Sequence, residues 1–481
     1  MIERVLVAGY LMVCILIGIL VSRKVFASRD EYWVAGRRIG PWVNAMAIMA
    51  ALASGGSIIG VMGYAYSSGI PATLALFAGA VVGFPLASIL VARPLRRFGK
   101  FTITDFMRWR YPHPIVSVGV PILIVISFTM YIVAQMKAAG ITAEALLGIS
   151  YNTSLTLATL VFVLYVSVGG MLAITWTDVI QGTLMVAVVL GTALVLIARN
   201  GSPVEIFGAG IQAAPALGAA GERPLATDLG AFVIWAAAIP IIPHVVMRVY
   251  TARDANSARM SLNLAMFIYT AIILAAVMVI VPVGKTLFPT LDDDDQIFLK
   301  IMQSQFNPVV RGLAVAAVLA AVMSTTDALL LACSSAIAHD LVASAWGKDL
   351  SSRTIGRINV LVVWIVGLIA MSLAYSPPEL ITGYYTDAIG ALSAGLFVPV
   401  VAGLWWRRAN LAGGIAAFLS GVATYLVLIY LVMMKVPGVP TRSAILVALP
   451  ASAVAMWLGG SLGKADAPQV IEAVAGLHGK A

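Results

Sequence analysis

Long apolar runs separated by short polar joints make up most of this chain. Runs of 18 or more apolar residues recur from one end to the other, and a helix needs about 20 such residues to cross a bilayer. The pattern predicts about thirteen helices, near 4–22, 42–66, 72–93, 115–147, 153–174, 177–198, 227–247, 259–283, 308–338, 357–375, 381–405, 411–434 and 442–462. The period-2 alternation of an outer-membrane barrel is absent. The fold class is therefore all-α and polytopic. The first run lacks a basic leader and a small-residue cleavage site, so it is expected to be a retained span and not a signal peptide.

Two runs are interrupted. The second, "AIMAALASGGSIIGVMG", carries Ser54, Gly55 and Gly56 at its middle. The seventh, "FVIWAAAIPIIPHVV", contains Pro240 and Pro243. Proline removes a backbone donor and clashes with the preceding turn. Either feature alone is also compatible with close packing or a simple kink. The two runs are five spans apart, which fits inverted repeats of five helices, spans 2–6 and 7–11. In transporters built this way the discontinuous helices face a midplane site, with loosened carbonyls for a cation and half-helix N-termini for an anion. One transmembrane domain, 1–481, is expected. It would comprise an extra N-terminal helix and loop (1–40), two repeats (41–198 and 226–408), C-terminal helices (409–462) and a tail (463–481).

Charge adds a direction. Only 11% of residues are charged against 61% hydrophobic, and the net charge is +9. One set of joints gathers Arg23, Lys24, Arg29, Arg37, Arg38, Arg93, Arg96, Arg97, Lys100, Arg108, Arg110, Arg248, Arg253, Arg259, Lys348, Arg353, Arg357, Arg407 and Arg408. The opposite set is poor in cations and holds the acidic run Asp292–Asp295, read as a solvated extracellular loop. Lys and Arg collect on the cytoplasmic side, so the N-terminus is expected outside and the C-terminus in the cytoplasm. No basic face on a soluble region exists to bind nucleic acid. Cys14 and Cys333 both lie within predicted spans and imply no disulfide framework.

Polar groups inside the apolar runs are the candidate chemistry. "AAVMSTTDALLLACSS" (320–335) places Ser324, Thr325, Thr326 and Asp327 together. Two readings account for the hydroxyls: bonds back to carbonyls one turn earlier, or ligation of a hard cation, which seeks several oxygens. A carboxylate near the bilayer centre costs ~2.5–3.5 kcal/mol on insertion scales and normally faces water or a cation. Asp178, in "GGMLAITWTDVIQG" (169–182), is either a helix N-cap at the membrane boundary or a cation ligand or gate. Lys137 is a cation inside span 4. Snorkelling to the interface, a structural pairing, and pairing with a substrate carboxylate each account for it. The histidines sit at cytoplasmic edges or in the tail, and no Ser/His/Asp, HExxH or Walker pattern is present.

These stretches, with "GRRIGPWV" (36–43), "AAVMSTTDALLLACSSAIAHDL" (320–341) and "PHVVMRVYTARD" (243–254), resemble the sodium:solute symporter family, in its proline, pantothenate and monocarboxylate branch. The resemblance implies a leucine-transporter-type fold with one extra N-terminal and two extra C-terminal helices. It implies a main Na⁺ site from the carbonyls of Ala50, Ala53 and Ala321 and the hydroxyls of Ser324 and Thr325. Some members hold a second sodium, at positions matching Asp178 and Asp327. Tyr131 and Trp235 match proline-binding positions, whereas an aspartate, a tryptophan and an aromatic of the proline symporters are replaced by Leu52, Gly56 and Ile239. The runs 99–112 and 131–140 look more like the acetate, monocarboxylate and pantothenate branches.

The expectation is a Na⁺-coupled symporter of the inner membrane, embedded in the lipid bilayer. It imports a small monocarboxylate through a site including Tyr131, Trp235, Gly56, Ile239 and Lys137. A sodium/proline or other amino-acid symporter is the alternative. An intramembrane enzyme or a channel is the alternative of a different class, and neither has a supporting motif.

Overall fold

The computed structural model describes residues 2–25, 29–168, 170–219, 223–345, 347, 351–377 and 379–479. Gly169 and Lys348, both named above, lie outside the described residues. Among the described residues the regular structure is helical, with one isolated bridge between Ile39 and Ala252.

In chain order the helices are α1 (Ile2–Val25), α2 (Arg29–Val34), α3 (Pro41–Leu52), α4 (Gly56–Ser68), α5 (Ile70–Phe98), α6 (Ile103–Arg110) and α7 (Pro114–Leu147). There follow α8 (Tyr151–Val168), α9 (Met171–Asn200), α10 (Pro203–Ala213), α11 (Leu225–Ala238), α12 (Pro243–Thr251), α13 (Ala255–Leu287) and α14 (Ile297–Gln305). The rest are α15 (Pro308–Ser344), α16 (Ser352–Ala374), α17 (Ile381–Trp405), α18 (Leu411–Met433), α19 (Ala444–Leu462) and α20 (Pro468–Leu477). Among the described residues ten helical stretches are long and apolar enough to cross a membrane, or eleven when the bent pair α3–α4 counts as one. α8 also is apolar but falls in the shorter class.

The starts follow from local chemistry. Pro41, Pro114, Pro243 and Pro308 sit in the first turn, where a missing N–H costs nothing. Asn307 and Asn410 cap α15 and α18 with their side chains. α9 begins at Met171, earlier than the 177 that the sequence suggested, because Gly170 takes an extended conformation and serves as its N-cap. Asp178 is therefore two turns inside the helix and is not a cap.

α15 is the central post: 94% of its most apolar window is buried. It contacts α1, α3, α7 and α9. α18 and α19 lie at the periphery, with 22% and 28% of their windows buried. The cationic joints share one end of the bundle: Arg37 donates to the Lys100 carbonyl at 3.2 Å, and Arg96 Nη2 to that of Arg253 at 3.0 Å. Arg97 and His478 fix α20 to the same end through Leu477 O and Leu404 O.

Close contacts are bought with glycine. A Cβ on Gly79 of α5 would lie 2.8 Å from Phe232 Cα of α11, whereas one on Gly191 of α9 would meet nothing within 4 Å. Gly79→Val should therefore force α5 and α11 apart, at ~1–3 kcal/mol, and lower the melting temperature of the purified protein in detergent. Gly191→Val should leave it unchanged. Equal melting of the two variants would contradict this account of the α5–α11 seam.

Candidate functional site

The membrane demands that each backbone polar group find a partner inside the protein, so the break between α3 and α4 must be accounted for atom by atom. The chain bends by 63° there. Ala53 leaves the helix at φ −74°, ψ 66°. The Ser57 amide turns back to Ser54 O and Oγ at 2.8 and 3.1 Å, and the Ser57 hydroxyl donates to Leu52 O at 2.9 Å. The Gly55 amide donates to Gln135 Oε1 of α7 at 3.0 Å. The carbonyls freed at the end of α3 face α15: Ser324 Oγ donates to Ala50 O at 2.8 Å and to Ala321 O at 3.2 Å, and Thr325 Oγ1 to Ala51 O at 3.0 Å.

Ala50, Ala321, Ser324 and Thr325 are thus brought together, with Ala53 at the adjoining bend, and all five are fully buried. Three of these oxygens, Ala50 O, Ser324 Oγ and Ala321 O, are linked by hydrogen bonds, and Thr325 Oγ1 makes a parallel bond to Ala51 O. Rotating two hydroxyl protons away would let them converge on a small hard cation. Thr325 Oγ1 donates to Ala51 O, two residues before Ala53, whose carbonyl the resemblance implies as a ligand.

An aromatic cluster adjoins the break. Tyr131 of α7 stacks on Tyr385 of α17 with centroids 4.9 Å apart and planes at 18°. Trp235 of α11 meets the same ring edge-on at 5.7 Å, and its Nε1 donates to Thr386 Oγ1 at 3.3 Å. Tyr131 OH lies 3.5 Å from Ser54 Oγ, and Tyr269 OH 3.5 Å from Ser57 Oγ. Gly56 permits this, since a Cβ there would press on Tyr385 Cε1 at 2.5 Å. Tyr131, Trp235 and Gly56 therefore belong to one place. Ile239 packs instead on Gly83 of α5. Tyr385, Tyr269 and Gln135 are members that the sequence did not single out. An aromatic or amide inside an apolar run reads as core, and only the break in α3–α4 makes them neighbours.

A second polar cluster lies toward the cationic end. Arg248 of α12 was counted among the loop cations, yet it is 1% exposed. Its guanidinium pairs with Asp178 and Thr175 of α9, and Asn44 of α3 donates to its carbonyl at 2.9 Å. The cation expected at Asp178 is therefore supplied in this structure by the protein itself. Neither oxygen of buried Asp327 accepts a hydrogen bond in good geometry, and Asp178 Oδ1 and Thr326 Oγ1 are equally without a partner. An orphaned buried carboxylate beside a half-satisfied one fits a site for a further cation or a proton. His244, expected at an edge, is buried against Phe128.

Lys137 is not brought to the aromatic cluster. Its ammonium donates to Asp295 Oδ2 and Glu379 O, both at 2.8 Å, with Asp293 at 3.8 Å. The acidic run is thus only partly a solvated loop, because Asp295 is fully buried. Its Oδ2 also accepts from the Ile381 amide at 3.3 Å. Three chain segments meet on this ion pair: α7, the acidic loop and the start of α17. Burial pushes the Asp295 carboxyl up to about 6, against the opposing pull of Lys137.

Comparison with known proteins gives the family and the fold. The model of the Sodium:solute symporter family matches residues 32–421. The chain is 28% identical over 440 residues to the osmoregulated proline transporter OpuE of Bacillus subtilis, spanning 89% of each chain. It is 28% identical over 437 residues to the sodium/proline symporter of Escherichia coli, spanning 87% of this chain and 86% of that one. Among solved structures, a substrate-bound outward-open Na⁺-coupled sialic acid symporter superimposes with a TM-score of 0.79 at 17% identity, over 97% of this chain and 98% of that one. MhsT in complex with L-phenylalanine gives 0.53 at 13% identity, over 90% and 98%. The fold is that of the leucine-transporter type, and sodium is the coupling ion.

Two predictions follow from these contacts. Ser324→Ala and Thr325→Ala should each raise the Na⁺ concentration for half-maximal uptake roughly ten- to hundredfold, as expected from losing ~1.5–3 kcal/mol of ligand bonding. Protein yield and melting should change far less. Unaltered sodium dependence in both would remove the site from this position.

Lys137→Met should destabilise the protein in a pH-dependent way. Asp295 titrates above its unfolded value near 3.8, so the folded state favours its protonated form. That advantage is complete below about pH 4 and is lost as pH rises through about 6. Without Lys137 the Ile381 amide alone opposes the effect of burial, so the loss at neutral pH deepens, by up to ~3–5 kcal/mol for a stranded buried charge. The melting temperature should fall much more at pH 8 than at pH 5, and Asp295→Asn should restore it at pH 8. An equal fall at both pH values would show that the lysine acts through packing alone.

Proposed function

The chain belongs to the sodium:solute symporter family, and from that premise we propose that it imports proline or a close amino-acid analogue together with Na⁺. Relatives named as proline transporters, matched over most of their length, support this solute over the small monocarboxylate suggested by residues 99–112 and 131–140. So does the gathering of Tyr131 and Trp235 on Tyr385. The monocarboxylate reading relied on Lys137 to neutralise a free acid, and that ammonium is already engaged by Asp295.

In this reading Na⁺ binds where Ser324 and Thr325 now bond the carbonyls of the broken helix. The pairing across the break is the observation that carries the proposal. Binding there ties α3 to α15 and fixes the orientation of α4. The aromatic rings cover the apolar ring of the solute. Asp178 and Asp327 take a second cation or a proton once Arg248 releases Asp178. The proposed topology has thirteen spans, including α1 and α8, in a single transmembrane domain. The inverted repeats are spans 2–6 and 7–11, the N-terminus lies outside, and the cationic end faces the cytoplasm. The chain acts by alternating access and performs no catalysis.

Proteoliposomes test this. An imposed inward Na⁺ gradient should drive labelled L-proline to an internal concentration above the external one, and unlabelled proline should compete while acetate and propionate do not. Equal competition by acetate would return the monocarboxylate reading, and equilibration without accumulation would refute symport.

A further inference from the structure

Arg442 stands in the joint between α18 and α19, where the sequence offers no reason to notice it. It is 7% exposed, and its backbone is at φ +62°, a left-handed conformation that a non-glycine residue adopts only when its surroundings hold it there. The segment is clamped from α11, since a Cβ on Gly230 would collide with the Arg442 carbonyl. This strained turn aims the side chain into the bundle. Nη1 donates to Tyr64 OH of α4 at 2.8 Å, the guanidinium lies 4.9 Å from the centre of that ring, and Nη2 faces Gly383 of α17.

A buried guanidinium is normally answered by a carboxylate. Among the described residues no carboxylate comes within ion-pair distance of it, although Asp387 stands one helical turn past Gly383 on the same face of α17. Asp387 is itself incomplete, because its buried Oδ1 has no hydrogen-bond partner. A cation and an anion thus sit close together without closing on each other. Tyr385 and Thr386, which belong to the aromatic cluster, lie between Gly383 and Asp387 on the same turn of α17.

We propose that Arg442 and Asp387 form a bipolar subsite between α4, α17 and the α18–α19 joint, which receives a zwitterionic amino acid, its carboxylate on Arg442 and its ammonium on Asp387. The planar fork of the guanidinium matches a carboxylate, and an α-amino acid carries both charges on one carbon, so it bridges the two groups. A plain monocarboxylate would set its anion beside Asp387 without an answering ammonium, and a plain amine would do the converse to Arg442. The pair therefore selects for the zwitterion by rejecting each half of it. This inference rests on the amino-acid reading above and adds the residues that would enforce it.

The test measures sodium-driven proline uptake in proteoliposomes against two competitors. Prolinamide keeps the amine and lacks the carboxylate. Tetrahydro-2-furoic acid keeps the carboxylate and replaces the ring amine with an ether oxygen. The wild type should prefer proline over either by about tenfold or more. Arg442→Gln should raise KM for proline about tenfold and shrink the preference over prolinamide toward unity, with the Na⁺ dependence unchanged. Asp387→Asn should shrink the preference over tetrahydro-2-furoic acid in the same way. Variants that lose yield or maximal rate while keeping wild-type preferences would overturn the subsite and leave Arg442 a structural strut. A wild type with which no amino acid competes would instead refute the amino-acid reading itself.

Discussion

The structure depends on how the membrane interior treats an unpaired peptide carbonyl. Leaving one without a partner costs several kcal/mol in hydrocarbon, yet α3 stops in mid-bundle and frees the carbonyls of Ala50 and Ala51. They are tolerated because Ser324 and Thr325 of α15 reach across to them at 2.8 and 3.0 Å. The same requirement explains why α15 is the most buried post and why Gln135 of α7 is spent on a single amide at Gly55. The oxygens that make the break stable are also those a small hard cation needs. In the proposed reading, stability of the break and affinity for sodium are alternative uses of one set of groups.

Around this centre, buried charge is arranged so that opposite ends of the bundle are held by different pairs. Arg248, Asp178 and Thr175 tie α12 to α9 at the cationic end, and Asn44 joins α3 to the same point. Lys137 and Asp295 tie α7 to the acidic loop and the start of α17 at the other. Breaking either pair strands a charge in a low-dielectric interior, which costs more than the pair itself contributes. Such pairs are suited to a protein that must open one end while the other stays shut, because each is strong when closed and each has polar groups ready to receive water when open.

Much of this was legible in the sequence because it was written in local signals. Apolar length gave the helices, prolines gave many of their starts, and the Ser54–Gly56 and Pro240–Pro243 interruptions gave the two breaks. Ser324 and Thr325 were legible because hydroxyls beside a carboxylate are out of place in an apolar run. What remained hidden depended on partners far apart in the chain. Lys137 and Asp295 are separated by 158 positions, so a buried ion pair read as a snorkelling lysine and a wet acidic loop. Arg248 read as a loop cation because basic residues gather at one membrane face, a rule that holds for the set but not for each member. Tyr385, Tyr269 and Arg442 carried no local signal at all. Their roles arise only when the bend in α3–α4 brings α4, α7, α13 and α17 together.

The central claim is that the break in α3–α4, closed by Ser324 and Thr325, is where the coupling sodium binds. Equilibrium binding of ²²Na⁺ to the purified protein, with and without the double substitution Ser324→Ala/Thr325→Ala, tests it most directly. The account predicts saturable binding in the wild type and loss of a saturable site in a double variant that remains folded and monodisperse. A folded double variant binding as much ²²Na⁺ as the wild type, with the same affinity, would contradict it.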